Sequence, residues 1–421
     1  MIHEVVITGI GVILPQCDSR AQLWKQLSNG ESQLRLHAHP GSARDVCAMG
    51  RVQEFDPRTY LREFPERFYT RYPREVQFYL ASLILARDDA ALDLNALDRD
   101  RVGLFDGTSR GNFEFWYRRI QAERDQLPRE LYTRQELMLG TPGQAAGVAA
   151  ALLQIRGPAY TFNASCCSGA IAIGHAYREI RSGEIDVAFA TGHDTALVAP
   201  LYHMYQDANL LSQERQDPRR AVRPYVGHSA NAFGEGAVTL LLESRAHAER
   251  RGACILAALG GYKYGNNGDH PTHVDSTGAR PAQVIRALLE AARLAPDQVQ
   301  FVVGHGNGVP ASDNAEISYM RQVFGPRTPA VPLISTKPIY GHTLGAASAL
   351  NVAAAALMIY HNYLIPTINV DADRIPDGIN LQANRGQAHR CDAGVAVAMG
   401  LGGHNVAVLV RRPATGSVGY S

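Results

Sequence analysis

The sequence lacks three features that mark large classes of protein: an excess of one charge, paired cysteines and a long apolar run. Its 41 Lys+Arg residues balance 40 Asp+Glu residues, a net charge of +1 over 421 residues, which argues against the broad basic surface of a nucleic-acid-binding protein. The six cysteines form no CxxC pair and make neither a disulfide framework nor a zinc site. The longest apolar helical stretch, residues 349–360, is too short to cross a bilayer.

Two further absences concern targeting and surface charge. The apolar N-terminus has no basic region or small-residue cleavage site, so it does not resemble a signal peptide. Free cysteines suit a reducing compartment, and we therefore expect a cytoplasmic protein with no membrane segment. We interpret the arginines at positions 215, 219, 220 and 223 as solvated surface, with contact to an acidic partner as the alternative.

Short, unbroken apolar runs predict buried strands at 5–13, 102–105, 187–190, 238–242, 255–259, 301–303 and 395–399. Such runs suit a parallel or mixed sheet with helices on both faces. In each half of the chain a strand-like segment leads into a helix of small residues, at 161–177 and 333–350, and another strand follows. We therefore predict an α/β fold with a duplicated unit. The predicted domains are 1–248 and 249–412, followed by a flexible tail at 413–421.

Residues 108–139 interrupt this pattern with aromatic residues and alternating charges. We interpret the segment, about residues 108–140, as an insertion of the first domain that caps a site or forms a subunit contact. An ordinary pair of surface helices explains it equally well.

Cys166 lies where a strand is predicted to end and a helix to begin. A helix N-terminus stabilises a thiolate and lowers the pKa of the thiol, which is how a cysteine becomes a nucleophile. The small residues Gly169 and Ala170 would let the turn tighten and another backbone approach. Cys167 is a rival nucleophile, and a buried cysteine is more often an inert small apolar residue.

Two histidines follow strand-like segments in the second half of the chain. His305 lies in a glycine-rich loop after the run at 301–303, and His342 precedes the helix of small residues. Both are placed to converge on one cysteine, although a lone loop histidine is more often structural. Neither has a second ligand at the spacing typical of a metal site.

Three motifs in the expected order resemble those of the elongating β-ketoacyl-acyl-carrier-protein synthases of fatty-acid and type II polyketide synthesis. Residues 164–169 (ASCCSG) are similar to the family's T-A-C-x-S-G motif, which makes Cys166 the nucleophile. Residues 305–316 (HGNGVPASDNAE) are similar to H-G-T-G-T-P-x-x-D-x-x-E. Residues 335–347 (STKPIYGHTLGAA) are similar to S-x-K-x-x-x-G-H-x-x-G-A-A. The resemblance covers nearly the whole chain, from about residue 5 to residue 410.

The resemblance implies a thiolase fold, in which two similar halves form a five-layered α-β-α-β-α sandwich. It also implies a decarboxylative Claisen condensation, in which Cys166 carries the acyl group and His305 and His342 stabilise the enolate of malonyl-acyl carrier protein. Lys337 would support the histidines with Glu316 as its ionic partner, and Leu401 and Gly402 would form the oxyanion and gating loop. No metal or bound cofactor is implied, because the phosphopantetheine arm arrives on the acyl carrier protein.

Several positions depart from the family pattern, and they concern the substrate more than the chemistry. Asn307 and Val309 replace two threonines that hold the pantetheine arm, and Leu401 replaces a gating phenylalanine. The resemblance therefore favours a specialised, secondary-metabolic synthase over a housekeeping one.

Two alternatives remain open at this stage. The first is an acyltransferase of the same fold that has lost decarboxylation, which the threonine losses would explain. The second is a non-catalytic partner subunit resembling a chain-length factor, against which Cys166 and both histidines argue. By resemblance the protein is a homodimer or a heterodimer with such a subunit.

Overall fold

The computed structural model describes residues 2–42, 44–70, 72–125, 141, 144–195, 197–227, 230–272 and 274–414. Most of the predicted insertion beyond residue 125, and the tail from residue 415, lie outside the described residues. Within them, the start of the insertion is a helix at Phe113–Arg124.

The strands and helices follow the predicted apolar runs closely. The strands are β1 (Val5–Ile13), β2 (Arg35–Ala38), β3 (Val46–Met49), β4 (Val102–Thr108), β5 (Ala159–Phe162), β6 (Val187–Asp194), β7 (Gly236–Ser244), β8 (Ala257–Asn266), β9 (Phe301–Val303), β10 (Leu333–Ile334), β11 (Tyr363–Leu364), β12 (Gln387–Ala388), β13 (Ala393–Gly400) and β14 (His404–Arg411). The α-helices are α1 (Arg20–Asn29), α2 (Pro57–Tyr60), α3 (Arg74–Asp89), α4 (Phe113–Arg124), α5 (Gln144–Leu153), α6 (Ser168–Ser182), α7 (Ala199–Asp207), α8 (Arg245–Arg250), α9 (Ala279–Ala291), α10 (Pro310–Phe324), α11 (Lys337–Tyr340) and α12 (Gly345–His361).

The main sheet repeats one arrangement twice. Its strand order is β10-β9-β13-β14-β8-β1-β7-β6-β4-β5. In the first half, β5, β4 and β6 are parallel, whereas β7 and β1 are antiparallel to their neighbours. In the second half, β10, β9 and β13 are parallel, whereas β14 and β8 are antiparallel to theirs. The duplicated unit predicted from the sequence is therefore confirmed by the topology.

Helices divide the molecule into five layers. The central helices α6 and α12 pack against each other and against strands of both halves. Helix α3 covers the outer face of β1, β6 and β7, and α9 covers β8 and β14 with α10 beside it. Helix α12 is buried along almost its whole length, as a predominantly apolar helix at the centre of a protein should be.

Glycines let the two central helices approach closely. A Cβ atom on Gly169 in α6 would lie 2.7 Å from the carbonyl oxygen of Gly345, and one on Gly192 would lie 2.5 Å from the same atom. No real Cβ tolerates such distances, so these positions need glycine. The close approach predicted for the small residues after Cys166 is confirmed.

Candidate active site

Cys166 lies in a tight turn between β5 and α6. The hydroxyl of Ser168 accepts a hydrogen bond from the N–H of Ala164 at 2.9 Å and donates one to the carbonyl oxygen of Ser165 at 2.6 Å. Ser165 has a φ of 55°, a left-handed conformation that non-glycine residues rarely adopt. The turn fixes Cys166 just before the helix, with only 4% of its surface exposed.

The two neighbouring cysteines face different surroundings. The thiol of Cys167 lies 3.4 Å from the carbonyl oxygen of Ala398 and 3.5 Å from that of His404, within the core. The sulfur of Cys166 instead lies 2.9 Å from Nε2 of His342. Geometry therefore separates a structural thiol from one that is placed to react.

Both predicted histidines lie in the cavity that holds this sulfur, and His342 contacts it directly. His305 follows β9 and His342 follows α11, and both are almost fully buried. Their ring centroids are 5.4 Å apart and the rings are perpendicular, at 89°. The site is thus built from the cysteine of the first half and two imidazoles of the second.

Hydrogen bonds define where the imidazole protons lie. The N–H of Leu344 donates to Nδ1 of His342 at 3.3 Å, so the neutral His342 ring carries its proton on Nε2, facing the sulfur. In His305, Nε2 lies 3.2 Å from the amide nitrogen of Asn307, which can only donate. Nε2 of His305 is therefore the acceptor, and the neutral ring carries its proton on Nδ1. That hydrogen bond has to open and the proton has to move to Nε2 before Nε2 of His305 can donate to a substrate oxygen.

Burial sets the protonation states of these groups. It lowers the pKa of both His305 and His342 well below 6.5, and the charge of Lys337 lowers both further. Burial also raises the pKa of the Cys166 thiol, which the charge of Lys337 and a hydrogen bond with Ser165 act to lower. The start of the helix alone predicts a lowered pKa for the Cys166 thiol. That prediction is wrong, because desolvation outweighs the favourable charges.

Lys337 and Glu316 support the loop of His305 from separate directions. The ammonium group of Lys337 donates to the carbonyl oxygen of His305, and burial lowers the pKa of Lys337 to about 8. The carboxylate of Glu316 accepts the N–H of His305 at 2.7 Å, the N–H of Gly306 and the hydroxyl of Tyr319. The ion pairs within 4.0 Å among the described residues do not include Lys337 with Glu316, but the two charges still interact, since Glu316 acts to raise the pKa of Lys337 and Lys337 acts to lower that of Glu316. The direct hydrogen-bond partners of Glu316 are the backbone N–H groups and Tyr319.

Asn307 and Val309 lie in the wall of the cavity beside Cys166. The N–H of Val309 donates to Oδ1 of Asn307 at 3.0 Å, which turns the amide nitrogen of Asn307 towards His305. Asn307 therefore contacts a site histidine as well as the cavity in which a substrate arm would lie.

Leu401 and Gly402 occupy the turn between β13 and β14. Leu401 lines the cavity. Gly402 is not part of its wall: the Gly402 N–H donates to the carbonyl oxygen of Pro271 at 2.9 Å, and its φ of 87° favours glycine. A Cβ on Gly400 would lie 3.3 Å from the backbone nitrogen of Cys166, so this turn is in direct contact with the cysteine turn.

The cavity at the site has a volume of about 250 Å³. Its wall combines apolar side chains with a few polar ones, and Oδ1 of Asn231 is buried there with no hydrogen-bond partner among the described residues. A larger, shallow polar groove of about 950 Å³ lies elsewhere and contains none of the predicted site residues. Its arginines 219 and 220 belong to the predicted cluster, in which Arg220 and Arg223 contact Asp371.

Sequence reasoning missed Arg110 and Tyr205, which lie next to this site. Nη2 of Arg110 donates to the hydroxyl of Tyr205 at 3.0 Å, and Tyr205 lines the cavity with Cys166. Neither residue belongs to a matched motif. A basic residue two positions after a fully buried strand was the one available signal.

A second buried histidine, His193, was also missed. Its Nε2 lies 2.6 Å from Asp106 and its Nδ1 lies 3.3 Å from Glu75. Burial lowers the pKa of His193, but the negative charges of Asp106 and Glu75 outweigh it and raise that pKa to about 9. The neighbouring Asp194 accepts the N–H groups of Ser109, Arg110 and Gly345, at 2.9, 3.0 and 2.6 Å.

Two other kinds of feature are absent from the described residues. No group of His, Cys, Asp and Glu side chains there has the arrangement needed to hold a metal ion. No helix there is long and apolar enough to span a membrane.

Comparison with known families identifies the class of protein that this fold and site define. Residues 3–248 match the model of the β-ketoacyl synthase N-terminal domain, and residues 256–371 match that of the C-terminal domain. The chain therefore belongs to the β-ketoacyl synthase family. It is a condensing acyltransferase with the five-layered thiolase fold.

Individual relatives agree with this assignment. The chain is 31% identical to the granaticin polyketide putative β-ketoacyl synthase 1 of Streptomyces violaceoruber, over 98% of this chain and 99% of that protein. It is 27% identical to 3-oxoacyl-[acyl-carrier-protein] synthase 2 of Coxiella burnetii, over 97% and 99%. Among solved structures, the ishigamide ketosynthase/chain length factor is similar with a TM-score of 0.86 and 26% identity, covering 98% of this chain and 100% of that one.

Proposed function

We propose that this chain is the catalytic ketosynthase of a polyketide or related secondary-metabolic pathway, and that it condenses an acyl group on Cys166 with malonyl-acyl carrier protein. The observation that carries the proposal is the distance of 2.9 Å between Sγ of Cys166 and Nε2 of His342, with His305 beside them. A non-catalytic partner subunit has no use for a buried thiol in this setting. We further propose residues 1–248 and 249–412 as its two domains.

The first step transfers the acyl group. The sulfur of Cys166 attacks the thioester carbonyl of the acyl carrier protein, so that the bond from Sγ to the acyl carbon forms and the bond to the pantetheine sulfur breaks. The pantetheine leaves as a thiol and takes up the proton that Cys166 releases. Backbone N–H groups of Cys166 and Leu401 are the proposed donors to the oxyanion.

The second step makes the nucleophile. Malonyl carrier protein loses CO₂, and the electrons of the broken C–C bond form an enolate whose oxygen accepts hydrogen bonds from His305 and His342. The neutral state of both rings suits this role, since each then has one N–H to donate and does not protonate the carbanion. The carbanion attacks the Cys166 thioester, a C–C bond forms, and the sulfur of Cys166 is released.

The phosphopantetheine arm of the carrier protein is the prosthetic group that this chemistry needs. The buried Oδ1 of Asn231 in the cavity wall lacks a partner among the described residues, and an amide N–H of such an arm can supply one. Asn307 and Val309 lie in the same wall. We propose that the chain acts as a dimer, with itself or with a subunit resembling a chain-length factor.

Intact-mass measurement after incubation with acyl carrier proteins tests the proposal, with CO₂ release from malonyl carrier protein measured in parallel. The native chain should gain one acyl group and then release CO₂ and form product. Cys166→Ala should abolish loading, whereas the matched Cys167→Ala should retain it, because Cys167 faces the core. Loading without CO₂ release would favour an acyltransferase that does not decarboxylate. Loading that survives in Cys166→Ala would refute the assignment of the nucleophile.

A further inference from the structure

Arg110 is a rigidly held cation next to the candidate active site. It lies two residues after the end of β4, and its N–H donates to Asp194 at 3.0 Å. Its Nη2 donates to the hydroxyl of Tyr205 at 3.0 Å, and its guanidinium carbon lies 5.8 Å from the centre of the Tyr205 ring. Backbone and side chain are therefore both fixed.

The guanidinium of Arg110 is not matched by an acidic side chain. Among the described residues no carboxylate lies within 4.0 Å of it, and its buried Nε has no hydrogen-bond partner. Arg74, by contrast, has both an acidic partner and a backbone acceptor: its Nη2 lies 2.9 Å from Glu235 and also donates to the carbonyl oxygen of Val52. A buried donor without a partner is unfavourable unless a ligand supplies the acceptor.

This guanidinium lies near the reacting groups. Tyr205, to which it is bonded, and Cys166 line the same cavity. In support of this placement, the positive charge of Arg110 acts to lower the pKa values of both Cys166 and His342. Arg110 itself is not part of the cavity wall and is connected to the cavity through Tyr205, so a ligand bound by both residues would lie on the Tyr205 side of the cavity that holds Cys166.

The chemistry of the guanidinium defines the ligand. Its planar fork binds a carboxylate with two parallel hydrogen bonds, and this pairing is stronger than one with a neutral oxygen. Two carboxylates are candidates for this ligand in a condensing enzyme: that of the malonyl group and one on the acyl chain. A cation on the malonyl carboxylate would oppose its decarboxylation, because the negative charge must leave that group for the enolate.

We propose that Arg110 and Tyr205 bind a carboxylate at the far end of the acyl chain on Cys166, so that this synthase prefers ω-carboxyacyl groups to saturated chains of equal length. This inference rests on the proposed function, because it needs Cys166 to carry the acyl group.

Loading of Cys166 from N-acetylcysteamine thioesters tests the inference without a carrier protein. Succinyl, adipoyl and suberyl thioesters are compared with saturated acyl thioesters of the same lengths, and acyl-enzyme is followed by intact mass. At one or more lengths, the native chain should load the carboxylated probe roughly tenfold faster or more, the value of a charged hydrogen-bonded pair. Arg110→Gln should reduce that ratio to about one, and Arg110→Lys should retain part of it.

Arg156→Gln is the matched control, because Arg156 pairs with Asp100 on the surface, away from the cavity. It should keep the native ratio. Equal loading of both probe types by the native chain would overturn the inference and leave the proposed function standing, and this result does not depend on any variant folding. Failure of every probe and of acyl carrier protein to load would overturn both. If Arg110→Gln slowed CO₂ release from malonyl carrier protein on enzyme already loaded with a saturated chain, Arg110 would serve the malonyl carboxylate instead, and the inference would be wrong.

Discussion

The protein buries histidines in two settings that differ in the charge of their neighbours. His305 and His342 lie beside Lys337, so burial and a positive charge act together and keep both rings neutral. His193 lies between Asp106 and Glu75, whose negative charges outweigh burial and keep its ring protonated. The same side chain at the same depth is an uncharged hydrogen-bond donor in one place and a buried cation in the other.

This difference in charge separates the histidines proposed to act in the reaction from the histidine that stabilises the fold. A neutral imidazole gives an N–H to a developing enolate without transferring its proton, which suits His305 and His342. A charged imidazole held by two carboxylates is an ion pair that keeps its surroundings in place. Replacing each kind of histidine should therefore have different consequences.

The largest effect is expected on stability from His193→Leu. Removing the imidazolium leaves the Asp106 carboxylate buried without its counterion, and breaking a buried pair in this way destabilises a protein by about 3–5 kcal/mol. Urea unfolding measures the loss. The matched control is His389→Leu, at an exposed position, where we expect a change within about 0.5 kcal/mol. A similar change for both variants would contradict the role given to His193.

The next effect falls on activity. His305→Ala and His342→Ala should each slow CO₂ release from malonyl carrier protein about 100-fold or more, the usual contribution of a positioned acid or base. His305→Ala should still load an acyl group on Cys166, as measured by intact mass. Both variants should lose less unfolding free energy than His193→Leu. If CO₂ release remained at the native rate in either variant, that ring would have no part in enolate formation.

The two settings also predict opposite responses of stability to pH. The pKa of His193 is raised on folding, so its contribution is complete below pH 6.5 and is lost as the pH rises towards about 9. From pH 6.5 to about 8 this loss is about 1.5 kcal/mol. The pKa values of His305 and His342 are lowered on folding, so their contribution is lost as the pH falls below 6.5.

Unfolding measured across this pH range checks both signs. His193→Gln should show a smaller loss of stability on the alkaline side, with the acid side unchanged. An unchanged alkaline slope in that variant would show that His193 is not charged in the folded protein.

The smallest effect is expected from Lys337→Met. The charge of Lys337 acts to lower the pKa of the Cys166 thiol, so its removal should reduce the thiolate fraction and slow loading of Cys166 about tenfold at pH 7. Loading should recover as the pH rises. Lys263→Met, in β8 of the main sheet, is the control. Equal slowing at every pH would indicate a distorted loop instead of a lost charge.

The fold was largely predictable because its strands are buried on both faces. Unbroken apolar runs such as those of β1 and β9 identify such strands directly. The glycines at positions 169 and 192 could not be paired with Gly345 from the sequence, since that contact joins segments far apart in the chain. The segment after residue 125 was assigned as an insertion from composition alone, and that assignment stays a prediction.

The candidate site was predictable where local motifs carry it. Cys166 and His305 each follow a strand end and His342 follows the short helix α11, and the structure brings all three into one site. His193 also ends a strand, yet its carboxylate partners come from α3 and β4, so its charge could not be inferred. The lack of direct contact between Lys337 and Glu316 could not be inferred for a related reason: sequence spacing does not show that backbone N–H groups already occupy the Glu316 carboxylate.

Asp194 ties segments of both halves together, because its carboxylate binds the backbone of Ser109 and Arg110 in the first half and of Gly345 in the second. Hybrid synthases assembled from the front half of one homologue and the back half of another therefore inherit a compatibility requirement wherever the crossover falls between residues 194 and 345. The parent that donates the front must bring this aspartate, and the parent that donates the back must present a glycine amide at the start of α12 to receive it.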